Sequence, residues 1–184
     1  MSKFQILVVV GSLRRDSING KLADAVAKLA PADFTFERAR IDDLPLYNQD
    51  DDGNPAASVV RLKSAITAAD AVLFVTPEYN RSMSGVLKNA IDHASRPYGQ
   101  SAWGGKPAGI LSASIGTHGG AMAQQHLRNV IACLNMPTLG QPEAFIHVKD
   151  DFFDTDGGIA SDATRKFLQR WMDSYAAWVK LHAK

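Results

Sequence analysis

Short apolar runs alternate along the chain with longer stretches in which apolar residues recur every three or four positions. The continuous apolar run over 4–10 is typical of a strand that is buried on both faces of a parallel sheet. Similar runs occupy 71–77 and 107–115, whereas 34–41 alternates as an edge strand does and 143–148 supplies a last strand. The pattern therefore predicts five strands.

Stretches with helical periodicity follow the predicted strands. Within 19–31, Leu22, Ala25, Val26 and Leu29 fall at positions i, i+3, i+4 and i+7, which is the spacing of one helix face. Four more stretches with this spacing are 58–70, 85–94, 122–136 and 163–183. The alternation predicts an α/β fold, a doubly wound five-stranded parallel sheet of order 2-1-3-4-5 with helices on both faces. In that order, ligands bind at the carboxyl ends of strands 1 and 3.

Composition limits the size and the partners of this fold. With 184 residues, 46% of them hydrophobic, the chain can bury one good core, so we expect a single domain over 1–184. Its 20 lysines and arginines nearly balance its 19 aspartates and glutamates, and this balance argues against a nucleic-acid partner. The first apolar run is too short for a membrane span, and no export signal follows it, so no membrane partner is expected. The single cysteine, Cys133, suits a reducing cytoplasm, and its apolar neighbours predict a core position.

The loop after the first strand is rich in hydrogen-bond donors. Ser12, Arg15, Ser17 and Asn19 lie between this strand and the start of the first helix. Unpaired N–H groups favour an anion there, but the helix dipole adds only ~0.3–1 kcal/mol at an exposed site, so side chains must supply most of the binding. The segment lacks the G-x-x-x-x-G-K-[ST] and G-x-G-x-x-G patterns, which favours one mononucleotide phosphate over ATP or a dinucleotide. A solvated loop with a capped helix remains the alternative.

Four segments carry a family resemblance that covers nearly the whole chain, to about residue 148. They are GSLRRDSIN (11–19), LPLYNQD (44–50), TPEYNRSMSGVLKNAIDHASRP (76–97) and GKPAGILSASIGTHGG (105–120). Together they resemble the NADPH-dependent FMN reductase family, and most closely its bacterial chromate and quinone reductase branch. The resemblance implies a flavodoxin-like fold, non-covalently bound FMN, NADPH or NADH as electron donor, and assembly as a homodimer or homotetramer.

The same resemblance implies a set of FMN-binding residues. Those that would hold the phosphate and the ribityl chain are Ser12, Leu13, Arg14, Arg15, Asp16, Ser17, Ile18 and Asn19. Those that would line the isoalloxazine ring are Pro77, Glu78, Tyr79 and Asn80, with Ala113 and Ser114 bordering it from the next strand. The chain departs from the family pattern at Ser84, where a proline usually precedes the glycine, and this predicts a less rigid loop.

The residues around Pro77 agree with a flavin site on physical grounds. Pro77 ends the strand, so the N–H groups of Glu78, Tyr79 and Asn80 are predicted to turn toward a ligand edge. Such a site needs no catalytic acid, base or nucleophile from the protein, because the cofactor carries the chemistry. We expect hydride to pass from NAD(P)H to bound FMN, after which quinones, chromate or similar small-molecule acceptors are reduced at the same flavin face.

Four charged residues are candidates for contacts with substrates or with a second subunit. Arg81 follows the ring loop and Arg96 follows the next helix, so either is predicted to attract the phosphate of NADPH or an anionic acceptor. An exposed surface charge is an equally open interpretation of each arginine. Arg128 and Glu143 are predicted to pair across a subunit interface.

Other functions fit the sequence less well. The five histidines show no metal-ligand spacing, so no metal site is expected. A flavodoxin-type electron carrier that does not itself oxidise NAD(P)H remains the alternative to an enzyme. Carriers of that kind are usually strongly acidic, and the balanced charge of this chain favours an NAD(P)H-dependent reductase.

Overall fold

The computed structural model, which describes residues 4–183, shows a five-stranded parallel sheet with helices on both faces. The strands are β1 Phe4–Val10, β2 Phe34–Arg38, β3 Ala71–Thr76, β4 Ala108–Ser114 and β5 Phe145–His147. The helices are α1 Ile18–Ala27, α2 Ala57–Ala68, α3 Gly85–Ala94, α4 Ala121–Cys133 and α5 Asp162–His182. The strand order β2-β1-β3-β4-β5 confirms the predicted doubly wound, flavodoxin-like topology.

The two faces of the sheet bury two separate apolar clusters. Ile6, Val8 and Val10 of β1 pack with α1 and α5 on one face, while Leu7 and Val9 pack with α2, α3 and α4 on the other. All six residues of β3 are buried. The central strands appear in the sequence as continuous apolar runs because helices cover both of their faces.

Helix α5 packs very closely against the sheet at Gly109. The rings of Trp171 and Tyr175 stack with their centroids 5.4 Å apart, and both are buried. A Cβ on Gly109 would lie 2.6 Å from Cδ2 of Tyr175, so only glycine admits the ring at this point of β4. The aromatic residues of α5 therefore belong to the core.

The second strand is shorter than the sequence predicts. β2 ends at Arg38 and does not continue to 41. The guanidinium of Arg38 donates to the carbonyl of Gly20 at 3.0 Å and to the carboxylate of Asp24 at 2.6 Å. These contacts draw the strand end toward α1, and the chain leaves the sheet one residue later, after Ala39 donates to Val8.

The end of α4 carries the single cysteine. Cys133 is exposed, whereas the buried face of α4 runs through Leu127 and Ile131. The prediction of a core position is wrong. Cys133 lies two residues beyond Ile131, which is a rotation of about 200° around the helix, so its side chain leaves the side that faces the core. Across residues 4–183, no helix is long and apolar enough to cross a membrane, and no three His, Cys, Asp or Glu side chains are grouped as metal ligands.

The carboxyl ends of β1 and β3 meet at one edge of the sheet. The N–H of Gly11, just after β1, donates to the carbonyl of Val75 in β3 at 2.9 Å. A Cβ on Gly11 would lie 3.0 Å from Oγ of Ser84 and 3.2 Å from Cδ of Pro77. Because α1 and α3 leave this edge toward opposite faces of the sheet, a crevice opens between the loops that precede them.

Candidate functional site

The β1–α1 loop (residues 11–17) presents unpaired hydrogen-bond donors to the crevice. Within residues 4–183, the backbone N–H groups of Ser12, Leu13, Ile18 and Asn19 make no hydrogen bond. Ser17 caps α1, since its Oγ accepts from the N–H of Gly20 at 3.1 Å. The exposed side chains of Arg14 and Arg15 make no ion pair with a described residue. Together these groups form an anion-binding corner at a helix N-terminus.

Asn19 fixes the start of α1 against β4. Its carboxamide donates to the carbonyl of Ala113 and accepts from the N–H of Ala113, both at 3.0 Å, and the residue is buried. β3 ends at Thr76, opposite Ser112, so Asn19 bonds the first residue of β4 that has no β3 partner. Sequence reasoning missed this positioning role, and a bond from Asn19 to a phosphate stays a prediction.

The β3–α3 loop (residues 77–84) contains a tight hairpin turn. Tyr79 and Ser82 exchange two backbone hydrogen bonds of 2.9 and 3.0 Å, and the residues between them, Asn80 and Arg81, have φ angles of 51° and 63°. Two central residues with positive φ are the mark of a type I′ turn. The expectation that the N–H of Tyr79 faces a ligand is therefore wrong, since Ser82 accepts it. The ring of Tyr79 is half exposed beside the crevice.

Helix α4 holds this hairpin at two points. Oε2 of Glu78 accepts from the backbone N–H groups of Met122 and Ala123, at 3.0 and 3.2 Å. Nδ1 of His126 and Oγ of Ser82 share a hydrogen bond of 2.9 Å. The β3–α3 loop is thus attached to α4 as well as to the end of β3.

Ser84 ends the β3–α3 loop as the N-cap of α3. Its Oγ accepts from the N–H of Leu87 at 3.3 Å, its φ is −65°, and it is buried. The sequence predicts a less rigid loop because serine replaces proline here. The structure shows that this serine is anchored to the first turn of the helix by its own side chain.

These loops enclose a cavity of about 200 Å³, which we call the crevice cavity. Its lining residues are Ser12, Arg14, Ser17, Ile18, Asn19, Pro77, Glu78, Tyr79, Ala113, Ser114 and Ile115. Of the predicted FMN-binding residues, Leu13, Arg15, Asp16 and Asn80 lie outside this lining. Ile115 was missed by sequence reasoning, although its place directly after β4 is the signal that identifies it.

A larger apolar groove of about 660 Å³ adjoins the crevice cavity and shares Arg14 and Tyr79 with it. The other lining residues of the apolar groove are Gly11, Leu13, Ile41, Asp42, Leu44, Leu46, Ser84, Gly85, Val86 and Asn89. Asn89 fixes one wall, since its carboxamide accepts from the N–H of Tyr47 at 2.8 Å and donates to the carbonyl of Pro45 at 2.7 Å. The groove offers an apolar surface beside the cavity, and Leu46 is largely exposed in it.

The two candidate arginines lie far apart. Arg81 is exposed at the tip of the hairpin next to Tyr79. Arg96 lines a separate cavity of about 260 Å³ with Lys63 and His93. Arg96 lies beyond the C-terminal end of α3, whose ten residues span about 15 Å from the crevice. The structure therefore brings Arg81, and not Arg96, to the ring loop.

Arg128 and Glu143 pair within one chain. Nε of Arg128 lies 3.5 Å from Oε1 of Glu143, and its Nη1 donates to the carbonyl of Leu139 at 2.9 Å. Burial lowers the pKa of the Arg128 guanidinium, and the charge of Glu143 opposes that shift. Arg128 and Glu143 thus pair within one chain, and their pairing across a subunit interface stays a prediction.

The donor set of the crevice cavity fits FMN. A phosphate needs several donors and positive charge, which the free N–H groups of Ser12, Ile18 and Asn19 and the guanidinium of Arg14 provide. A flavin ring needs an apolar, flat surface, which Pro77, Tyr79 and Ile115 provide in the lining of the same cavity.

Comparisons with known proteins agree with this fit. Residues 4–151 match the family model described as NADPH-dependent FMN reductase. The chain is 54% identical over 176 residues to a 2-hydroxy-1,4-benzoquinone reductase of Burkholderia sp, with 96% of each chain covered. It is 48% identical over 180 residues to a quinone reductase of Pseudomonas putida, covering 97% of this chain and 96% of that one.

A solved structure extends the similarity to three dimensions. The flavoenzyme NAD(P)H:(acceptor) oxidoreductase FerB of Paracoccus denitrificans matches with a TM-score of 0.95 and 43% sequence identity, over 98% of this chain and all of that one. The chain belongs to the NADPH-dependent FMN reductase family and is an oxidoreductase that uses FMN with NAD(P)H as its co-substrate.

Proposed function

We propose that this protein reduces quinones with electrons from NAD(P)H and that FMN binds in the crevice cavity. The observation that carries the proposal is the set of unpaired N–H groups at the β1–α1 loop, which adjoins a cavity also lined by Pro77, Tyr79 and Ile115. Bound FMN would accept two electrons from NAD(P)H and pass them to the acceptor. The remaining work, which is binding, orientation and access, falls to the residues of this chain.

The phosphate end of the site consists of the β1–α1 loop. We assign the phosphate contacts to the N–H group of Ser12 and to the guanidinium of Arg14, both of which line the crevice cavity. The first N–H groups of α1, at Ile18 and Asn19, form the positive end of the helix dipole, and we expect them to face the same phosphate. Charge-assisted donors of this kind bind phosphate more strongly than neutral side chains.

The ring end of the site consists of Pro77, Tyr79 and Ile115, with the backbone of Ala113 and Ser114 at its border. Ser82 fixes the backbone of Tyr79, so this surface exists before any ligand arrives. No side chain at this end has to donate or remove a proton for the reaction that we propose.

The apolar groove favours a planar, weakly polar acceptor. Leu13, Leu44, Leu46 and Val86 line it, and Tyr79 is common to both the groove and the crevice cavity. Relatives at 54% and 48% identity are named as benzoquinone and quinone reductases, which supports the same substrate class for this chain. Reduction of chromate stays a prediction, with Arg81 as the candidate contact for an anion and Arg96 as the less favoured one.

We also propose that the chain acts in the cytoplasm and associates with itself as a homodimer or homotetramer. The free, exposed thiol of Cys133 suits a reducing compartment. Exposed apolar side chains outside the site, such as Val60 and Leu181, provide surface that a second copy would cover. Sedimentation equilibrium tests the assembly, and a mass equal to one chain would reject it.

The proposed activity is tested by following the visible spectrum of the FMN-loaded protein without oxygen. We expect NADPH to bleach the flavin absorbance rapidly and 1,4-benzoquinone to restore it. A protein that binds FMN but keeps its colour with both NADPH and NADH is an electron carrier, and that result would reject the reductase. A protein that takes up no FMN would reject both functions.

A further inference from the structure

Helix α4 begins without a capping side chain of its own. Its N-cap is Gly120, with a φ of 86°, and no side chain at this position accepts a hydrogen bond. A Cβ on Gly120 would lie 2.6 Å from Cβ of Ser112, so serine, threonine or aspartate cannot occupy the position. The N–H of Ala121 donates to the nearby carbonyl of His118 at 3.0 Å, but the N–H groups of Met122 and Ala123 depend on an acceptor from elsewhere in the chain.

Glu78 supplies that acceptor from the neighbouring loop. A single oxygen, Oε2, accepts from the N–H groups of both Met122 and Ala123. A carboxylate at a helix N-terminus combines charge-assisted hydrogen bonds with a favourable interaction with the helix dipole. Glu78 directly precedes Tyr79, so the cap of α4 is part of the wall that faces the ring end of the crevice cavity.

The other end of the hairpin is attached to the same helix. Ser82 bonds to His126, one turn further along α4, and Tyr79 is closed onto Ser82 by two backbone hydrogen bonds. Two loops each form a wall of the crevice cavity: the β3–α3 loop through Pro77, Glu78 and Tyr79, and the β4–α4 loop (residues 115–120) through Ile115. Helix α4 is where the β4–α4 loop ends, so its first turn connects the two walls.

We propose that Glu78 is a positioning residue whose carboxylate locks the β3–α3 hairpin to α4 and so fixes the spacing of the two walls before FMN binds. The expected consequence of this lock, tighter binding of FMN, rests on the proposed function. The lock itself is a property of the protein without cofactor. Both parts are therefore measured separately.

Amide hydrogen exchange on the FMN-free protein tests the lock. In Glu78→Ala we expect the amides of Met122, Ala123 and Tyr79 to exchange roughly ten-fold faster than in the wild type, because the cap and the hairpin open together. Glu78→Gln should retain most of the protection, since its one carbonyl oxygen replaces Oε2. Faster exchange at Met122 and Ala123 with unchanged exchange at Tyr79 would reduce Glu78 to a helix cap and overturn the proposal.

The matched control is Ser161→Ala, which removes a cap of another helix. Oγ of Ser161 accepts from the N–H of Thr164 at the start of α5, and neither residue lines the crevice cavity. We expect faster exchange at Thr164 and no change at Tyr79. A change at Tyr79 in this variant would mean that any lost cap loosens the hairpin, and it would contradict a specific role for Glu78.

FMN titration of the same variants tests the consequence. We expect the dissociation constant for FMN to rise about ten-fold in Glu78→Ala and less than about two-fold in Glu78→Gln and Ser161→Ala. If Glu78→Gln binds FMN as poorly as Glu78→Ala, charge and not position matters, and the proposal is overturned. If the wild type binds no FMN, the proposed function fails while the exchange result still decides the lock.

Discussion

The β1–α1 loop and the β3–α3 loop face the same crevice but are built in opposite ways. The first loop leaves the N–H groups of Ser12 and Leu13 without an acceptor within residues 4–183. The second pairs the N–H and the carbonyl of Tyr79 with Ser82 and is bonded to α4 through Glu78. The first loop therefore offers free donors to an anion, whereas the backbone of Tyr79 in the second loop is fixed before any ligand binds.

This difference separates the tasks of the two ends of the crevice cavity. Backbone donors that are not satisfied by protein gain most from a charged ligand, so the β1–α1 loop is suited to provide affinity. A surface fixed by its own hydrogen bonds loses little conformational entropy on binding, so the β3–α3 loop is suited to orient a flat ring.

The largest effect is expected from Asn19→Ala, which removes the support of the β1–α1 loop. The N–H and the carbonyl of Ala113 both lose a buried partner at 3.0 Å. We expect the free energy of unfolding to fall by about 2–4 kcal/mol, measured by urea denaturation. Asn54→Ala is the control, because this asparagine is exposed and its side chain makes no hydrogen bond with a described residue. Equal stability of the two variants would contradict the support role.

The next effect distinguishes the two arginines of the β1–α1 loop. Arg14 lines the crevice cavity, whereas Arg15 does not. Arg14→Gln should weaken FMN binding about ten-fold and leave riboflavin binding unchanged, since only FMN carries the phosphate. Arg15→Gln should have a clearly smaller effect in the same fluorescence titration. An equal loss of riboflavin affinity in Arg14→Gln would show that this arginine supports the ring.

A smaller effect is expected at the end of the β3–α3 loop. Ser84→Ala removes the cap of α3 and should lower the free energy of unfolding by about 1 kcal/mol. Ser84→Pro should lose less, because the φ of −65° at this position suits proline and the unfolded chain is restricted. Thermal denaturation of both variants measures the difference. A proline variant less stable than the alanine variant would mean that the loop cannot accept the family's usual residue.

The smallest effect concerns Asp43, which directly precedes Leu44 of the apolar groove and forms an ion pair with Arg61. A hydrogen bond from Arg61 lowers the pKa of Asp43 below its ordinary value. A carboxyl with a lowered folded-state pKa stabilises the protein above its unfolded pKa, and that contribution is lost as the pH falls through the folded value. Asp43→Asn should therefore reduce the loss of stability below about pH 4, measured as unfolding midpoints against pH. An unchanged acid profile would show that this pair contributes nothing measurable.

The sequence was sufficient to predict the fold, because burial on both faces leaves a direct signal. The apolar runs at β1, β3 and β4 and the helical stripes between them predict the sheet order, and that order predicts the edge where the site lies. Cys133 was misplaced because apolar neighbours in the sequence do not determine which side of a helix end faces the core.

The site was predictable in its location but not in its internal bonding. Asn19 and Ala113 are 94 positions apart, and Glu78 and Met122 are 44 apart. No local pattern signals such pairs, since the same side chains bind ligands in one fold and backbone in another. The pairing of Tyr79 with Ser82 was missed for a different reason, because Arg81 is an unusual residue for a turn that requires positive φ.

The central claim is that the unpaired donors of the β1–α1 loop bind the phosphate of FMN, and it is tested most directly by comparing FMN with riboflavin. The FMN-free protein is titrated with each flavin, and binding is followed by the loss of flavin fluorescence. We expect FMN to bind at least about 100-fold more tightly than riboflavin, because several charge-assisted hydrogen bonds depend on the phosphate. Equal affinities for the two flavins would contradict the account.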